Sequence, residues 1–459
     1  MTTINTLPDD ILLEVFKFLG HYVVDQAGKK RERAWRTLVH VCRRWRCIVF
    51  EAPRHLNLQL VCTTTTPARA KLDIWPALPI IIWYGGRSTR GRDSITAALE
   101  CTNRVCQVTL LEVRSSDLDI FLMAMQQSFP ELTYLHISSK DETVPVVPDS
   151  FLGGSAPHLE YLWLNGIPFP GLPKLLLSAT HLVNLYLQFI PHSGYISPDP
   201  MVAALSTLTS LKTLSIEFKS PRSCPDRASQ RPLPSIRSVL PVLRYFWFKG
   251  VSEYLDDLVA CIDAPQLNHL EITFFNDIVF NTPQLVRFIS HTPKWKVFEK
   301  AYITLWDHAA KVNFLSQTSR YENFTVTILC KGLDWQVSSL EQVCTSCLPP
   351  LYMLEDLNFR WDWHSPPDWN DSVENRQWLE LLRPFMAVKN LYLSDKSASC
   401  IAPALQELVE GRTTDVLPAL QKIFLNWLDS SGSVQESIGQ FVAARQEANH
   451  PIVISPYTG

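Results

Sequence analysis

Three stretches decide the architecture: PELTYLHI at Pro130–Ile137, PHLEYLWL at Pro157–Leu164 and HLVNLYL at His181–Leu187. All three contain Leu-x-x-Leu-x-Leu or a close variant of it, and the alternation in its second half is the period of a β-strand whose two faces meet different surroundings. Upstream the same core appears as VCQVTL at Val105. Downstream it returns as SLKTLSI at Ser210, PVLRYFWF at Pro241, PQLNHLEI at Pro265, MLEDLNF at Met353, VKNLYL at Val388 and PALQKIFL at Pro418. Between Lys294 and Ile328, KWKVFEKAYI and YENFTVTI are weaker copies. The intervening segments, among them DLDIFLMAMQQSF, SEYLDDLVACI, TPQLVRFISHTP and NRQWLELLRPFM, carry apolar residues at three- and four-residue spacing and end at a proline or a turn, which predicts short helices.

The unit is therefore helix, turn, short strand. About ten to twelve copies recur at intervals of roughly 23 to 34 residues, and both spacing and core resemble leucine-rich repeats. No such unit can bury its own apolar face, so neighbours must stack. The expected fold is α/β: an irregular leucine-rich-repeat-like solenoid over residues 56–459, with a curved parallel sheet inside and helices on the convex face. LNLQLVC at Leu56–Cys62 predicts its first, alternating strand, and the β-branched Ile80-Ile81-Ile82 a buried one. Ser433 and Glu436 suggest a capping box for a last helix running to about Asn449, after which Pro451–Ser455 can add a closing strand.

Strand periodicity sends the leucines inward and names the outward positions. Tyr134, Tyr161, Trp163, Tyr186, Tyr245 and Trp247 are the candidate substrate-binding residues, since tyrosine and tryptophan dominate interface energetics. His136, Asn184, His269, Glu271, Asp356, Asn358, Asn390, Tyr392, Lys422 and Phe424 continue the same register. Either this face binds a partner or insertions cover it; both readings stay open at this point. The longest insertions are Lys219–Pro234 and Trp361–Asn375, and the tryptophans of Trp361–Trp378 either face a substrate or pin the insertion down.

Composition narrows the function. The 459 residues carry a net charge of −3, with 46% hydrophobic and 19% charged residues, so nothing favours nucleic acid, which demands clustered cations. The basic segments Lys29–Arg33 and Gly85–Asp93 read as solvated. MTTINTLPDD lacks the blocks of a secretory signal, and no apolar run approaches the ~18 residues of a membrane span. Eleven scattered cysteines without framework spacing point to reduced thiols, hence to a cytoplasmic or nuclear protein with no membrane partner. Cys344 and Cys347 supply half a zinc spacing with no second pair, and no histidines are paired, so neither a metal nor a cofactor is expected. Asp9-Asp10 and Asp256-Asp257 are adjacent and diverge around a helix, as capping or solvated carboxylates would. With no nucleophile elbow or phosphate loop, no catalytic residue is expected, and the chain reads as a binding protein rather than an enzyme.

The first fifty-five residues differ from the rest. Leu7-Pro8-Asp9-Asp10-Ile11-Leu12, then Val15-Phe16 and Leu19, precede a second helix with Val41-Cys42-Arg43-Arg44-Trp45. This pattern resembles the F-box, a helical module of 1–55 here, although Asp10 stands where the family has glutamate and Gly20–Ala34 is longer than its usual link. The resemblance implies a substrate receptor that docks onto the Skp-type adaptor of an SCF-type cullin–RING ubiquitin ligase and presents an unidentified protein substrate. It further implies that Leu7, Pro8, Ile11, Leu12, Val15, Phe16, Leu19, Val41, Cys42 and Trp45 meet the adaptor. A repeat scaffold outside any ligase, its N-terminal helices merely capping the array, is the alternative.

Overall fold

The computed structural model describes residues 4–21, 37–52, 55–56, 58–65, 68–69, 72, 78–85, 91–223, 237–275, 282–292, 295, 298–316, 323–346, 351–361, 373–409, 413–425 and 432–456. The chain forms two compact units, Met1–Ile196 with Ala203–Leu211, and Ser197–Val202 with Lys212–Gly459. Among the described residues no helix is long and apolar enough to cross a membrane.

Among its described residues the first unit contains the N-terminal helices Asp9–His21 and Arg43–Glu51 and six strands. The strands are β1 (Leu60–Thr63), β2 (Ile80–Gly85), β3 (Val105–Leu111), β4 (Tyr134–Ser138), β5 (Tyr161–Asn165) and β6 (Asn184–Ile190). They pair in chain order and all in parallel. Register explains why the leucines recur: Leu135, Leu162 and Leu185 stand opposite one another on adjacent strands, each 0% exposed. Ile137, Leu164 and Leu187 form the next buried row. β1 is buried along its whole length, so the alternation expected over Leu56–Cys62 is absent there. After β5 the chain turns at Gly166, whose φ is +70°; a Cβ there would lie 2.8 Å from the Ser139 carbonyl oxygen, so glycine is required.

In the second unit β7 (Thr213–Phe218), β9 (Tyr245–Gly250) and β11 (His269–Phe275) continue the parallel pattern, and the short β8 (Ser238–Val239) and β10 (Ile262–Asp263) pair separately. Here the all-parallel expectation fails. β12 (Lys300–Trp306), β13 (Ala309–Leu315) and β14 (Asn323–Leu329) form an antiparallel meander, with β14 beside β11 and β12 beside β15 (Asp356–Trp361). The two weak copies are its outer strands. The middle strand, AAKVNFL, alternates well, and its two-residue Asp307-His308 turn permits an antiparallel return that a helical crossover does not. β16 (Asn390–Leu393), β17 (Lys422–Leu425) and β18 (Val453–Pro456) resume parallel pairing.

The last helix spans Gly432–Glu447, so Ser433 sits inside the first turn and not at its cap, contrary to the capping-box expectation. What fixes this helix is Arg445, 0% exposed, which donates to the carbonyls of Thr413 and Leu417, both at 2.9 Å. The closing strand forms as expected.

Several polar side chains join one repeat to the next. The buried Asp256, on helix Ser252–Ala260, accepts from the main-chain N–H groups of Gln284 and Leu285, each at 2.9 Å. It thereby caps helix Pro283–His291, whose own Thr282 makes no side-chain cap bond. In the first unit Asp141 accepts from the Ser115 N–H at 2.6 Å, and the bond holds its carboxyl below the usual range. Asp256→Ala leaves two amides of a helix start without that acceptor. It should cost about 1–2 kcal/mol in chemical unfolding, with the secondary structure retained by circular dichroism.

Candidate functional site

Period-two alternation leaves one face of each sheet half-exposed, and parallel register gathers its side chains into rows. On the first unit Gln107, Tyr134, Tyr161 and Asn184 form one row, and Thr109, His136, Trp163 and Tyr186 the next. Tyr134 and Tyr161 stack with centroids 4.3 Å apart and planes 10° off parallel; His136 and Trp163 stack at 4.5 Å and 6°. Tyr186 joins Trp163 at 5.0 Å and Tyr161 at 5.5 Å, and the Trp163 indole N–H donates to Gln188 Oε1 at 3.0 Å. Each aromatic contact adds about 0.5–1.5 kcal/mol beyond area burial.

Desolvation sets the electrostatics of this cluster. It raises the Tyr134 and Tyr161 phenols above their ordinary value and lowers His136 to about 4, so the imidazole is neutral at physiological pH. None of the eight row positions is a Lys, Arg, Asp or Glu. The surface offers aromatic rings, phenol hydroxyls and amides.

The second unit presents a different face. Tyr245 and Trp247 stack at 5.8 Å and 7°, with His269 5.2 Å from Trp247. The His269 imidazole lies 3.6 Å from Glu271, and it chiefly accounts for the lowered carboxyl of that residue. Farther along, Lys300 pairs with Asp356 at 3.2 Å, which raises the amine, and Tyr392 stacks on Phe424 at 4.3 Å and 6°. The six candidate substrate-face residues are thus all half-exposed, four on the first unit and Tyr245 and Trp247 on the second. Gln188, Tyr302 and Lys311 also line these faces and were not among the candidates. The alternation in AYITLW and KVNFL is the signal that points to the last two.

The N-terminal pair divides its apolar residues. Leu12 (0% exposed) and Phe16 (3%) face inward with Leu38, Val39, Ile48 and Val49, and Phe16 meets Trp45 at 4.7 Å. Leu12 and Phe16, which the resemblance places against an adaptor, lie in the module's own core. Cys42 caps the second helix, its sulfur accepting from the Trp45 N–H at 3.5 Å. Arg44 locks the two helices together through Asp9 Oδ1 and the Leu7 carbonyl, both at 2.6 Å. Leu7 is half-buried and Pro8 exposed. The outward side shows Ile4 (49%), Ile11 (45%), Val15 (40%), Phe18 (64%) and Val41 (55%), of which Ile4 and Phe18 were not anticipated.

The side chain of Leu19, the Lys29–Arg33 segment, Cys347 and most of Gly20–Ala34 lie outside the described residues, as do 86–90, 224–236 and 362–372. Cys344 is buried on helix Leu333–Ser346, and Trp378 is buried against Phe359 with ring centroids 6.5 Å apart.

The sequence matches no family model and no curated protein. Among solved structures, the chain is similar to the leucine-rich repeat-containing protein LegL7 from Legionella pneumophila, with 13% identity and a TM-score of 0.29 over 84% of this chain and 97% of that one.

Neutral His136 has a measurable consequence. The unfolded chain takes up a proton near the ordinary value of 6.5, whereas the folded chain does so only near about 4, so stability is lost as pH falls through that window. The thermal midpoint should drop between these values in the native protein and drop less in His136→Gln.

Proposed function

We propose that this protein is a substrate receptor of an SCF-type ubiquitin ligase. In this reading the N-terminal helical pair docks onto a Skp-type adaptor, and the half-exposed strand faces hold a protein substrate. The observation that carries the reading is the second apolar stripe on helix Asp9–His21. A lone amphipathic helix carries one such stripe; this one carries Leu12 and Phe16 inward while Ile11, Val15 and Phe18, at four- and three-residue spacing, stay exposed beside Ile4 and Val41. Burying five such side chains is favourable by about 1.5–3 kcal/mol each when fully covered, which gives a helix-in-groove partner its driving force. The order Leu7-Pro8 … Val41-Cys42-Arg43-Arg44-Trp45 supports the same partner by resemblance.

Ubiquitin transfer then belongs to the other ligase subunits, and this chain contributes affinity and geometry in the cytoplasm or nucleus. The coarser reading, a leucine-rich-repeat-like scaffold that binds other proteins without a ligase, rests on the strand faces alone. Adaptor binding separates the two. Ile11→Asp combined with Val15→Asp should abolish co-purification with a Skp-type adaptor while the circular dichroism spectrum stays unchanged. Leu12→Ala should instead destabilise the module by about 2–5 kcal/mol. Unchanged adaptor capture by the double variant would leave only the scaffold reading.

A further inference from the structure

Four turns of the first unit, 129–132, 156–159, 179–182 and 208–211, repeat one another. In each, the N–H of the fourth residue (Leu132, Leu159, Leu182 or Leu211) donates to the carbonyl of the first, at 3.0 to 3.2 Å. These leucines are at most 1% exposed, so every turn is pinned to the core by its last residue. The third residue returns to the same place in each repeat, as Glu131, His158, His181 and Ser210. Glu131, His158 and His181 are exposed, and no Lys or Arg stands among the four. The His158 and His181 rings lie with centroids 6.3 Å apart and planes 16° from parallel. Among the described residues neither imidazole has a hydrogen-bond or ion-pair partner, so both keep their nitrogens available. In the sequence 23 residues separate them (181 − 158), too far for any ligand spacing to show; the stacking of repeats alone pairs them.

We propose that His158 and His181 together bind a divalent transition-metal ion, Zn²⁺ or Cu²⁺, which clips two adjacent repeats. Imidazole nitrogen suits both ions, and copper is held the more tightly of the two by a given set of nitrogens. A tetrahedral ion about 2.1 Å from one nitrogen of each ring sets the ring centroids about 5 Å apart. The observed separation exceeds this by about 1 Å, which side-chain rotation on two exposed residues closes while the turns stay fixed. The Glu131 carboxylate, one repeat away, favours a cation here. Among the described residues no group of three His, Cys, Asp or Glu side chains gathers for a metal ion, so water fills the remaining positions and the site stays open. The clipped turns lead into β5 and β6, the strands that carry Tyr161, Trp163 and Tyr186. In a stack whose stability is summed over neighbouring repeats, the ion strengthens the interface beneath those rings. The inference is independent of adaptor docking and of any partner on the strand faces.

The test is isothermal titration of the full chain, freed of metal by a chelator, with ZnCl₂ at about pH 7.5, followed by electron paramagnetic resonance with one equivalent of Cu²⁺. The native protein should bind one Zn²⁺ with a dissociation constant of roughly 100 μM or tighter. Its copper spectrum should show splitting from two nitrogens. His158→Gln and His181→Gln should each weaken zinc binding at least about tenfold and remove the two-nitrogen pattern, with the circular dichroism spectrum unchanged. His192→Gln, at another exposed histidine, should alter neither reading. No saturable zinc binding, zinc binding that both variants retain, or a copper spectrum without two nitrogens would overturn the proposal.

Discussion

The structure depends on one constraint: a strand with leucines on one face and a short helix beside it cannot cover those leucines alone. Leu135 is shielded because Leu162 stands beside it, and Leu162 because Leu185 does, each with no exposed surface. Every repeat therefore obtains its core from its neighbours, and stability becomes a sum over interfaces between repeats. The polar joints follow the same logic. Asp256 and Asp141 each cap a helix from a neighbouring repeat, so the helix starts are satisfied by position in the stack and not by their own sequence. On helix Gly432–Glu447, Arg445 makes the joint instead, tying the helix to the carbonyls of Thr413 and Leu417.

Because the inward positions are fully committed, the outward ones are free to differ, and they do. The first unit uses that freedom for stacked, desolvated aromatics without formal charge. The second mixes aromatics with Glu271 and the Lys300–Asp356 pair. The N-terminal helices follow the opposite rule: their inner stripe closes a small core of their own, and the outer stripe keeps its apolar surface exposed. In the proposed function, the strand faces contact a variable substrate and the N-terminal stripe is the fixed joint to the adaptor.

Much of this was legible in the residues. The strands beginning at Tyr134, Tyr161, Asn184, Tyr245 and His269 fall where Leu-x-x-Leu-x-Leu places them, because a period of two with one buried face permits only one register. The partition of outward residues followed from the same period, with Asn358, named as outward, the exception: it is buried. The meander was not legible. AYITLW and NFTVTIL carry strand alternation but no sign of direction, and direction was decided by the Asp307-His308 turn, too short for a crossover. Nor could the sequence separate Leu12 and Phe16 from Ile11 and Val15. All four are apolar at helical spacing, and which pair faces inward depends on where the second helix packs, a tertiary fact that Arg44 and Trp45 settle. The caps at Asp256 and Asp141 were hidden for a related reason, since their partners are about 26 to 29 residues away.

The division of labour between the N-terminal joint and the strand faces is open to a direct measurement: amide hydrogen exchange of the full chain with and without a purified Skp-type adaptor. The account predicts slower exchange in peptides covering residues 4–18 and 37–45, with the strands of both units unchanged. Unaltered exchange in those two segments, or protection confined to the strand faces, would contradict it.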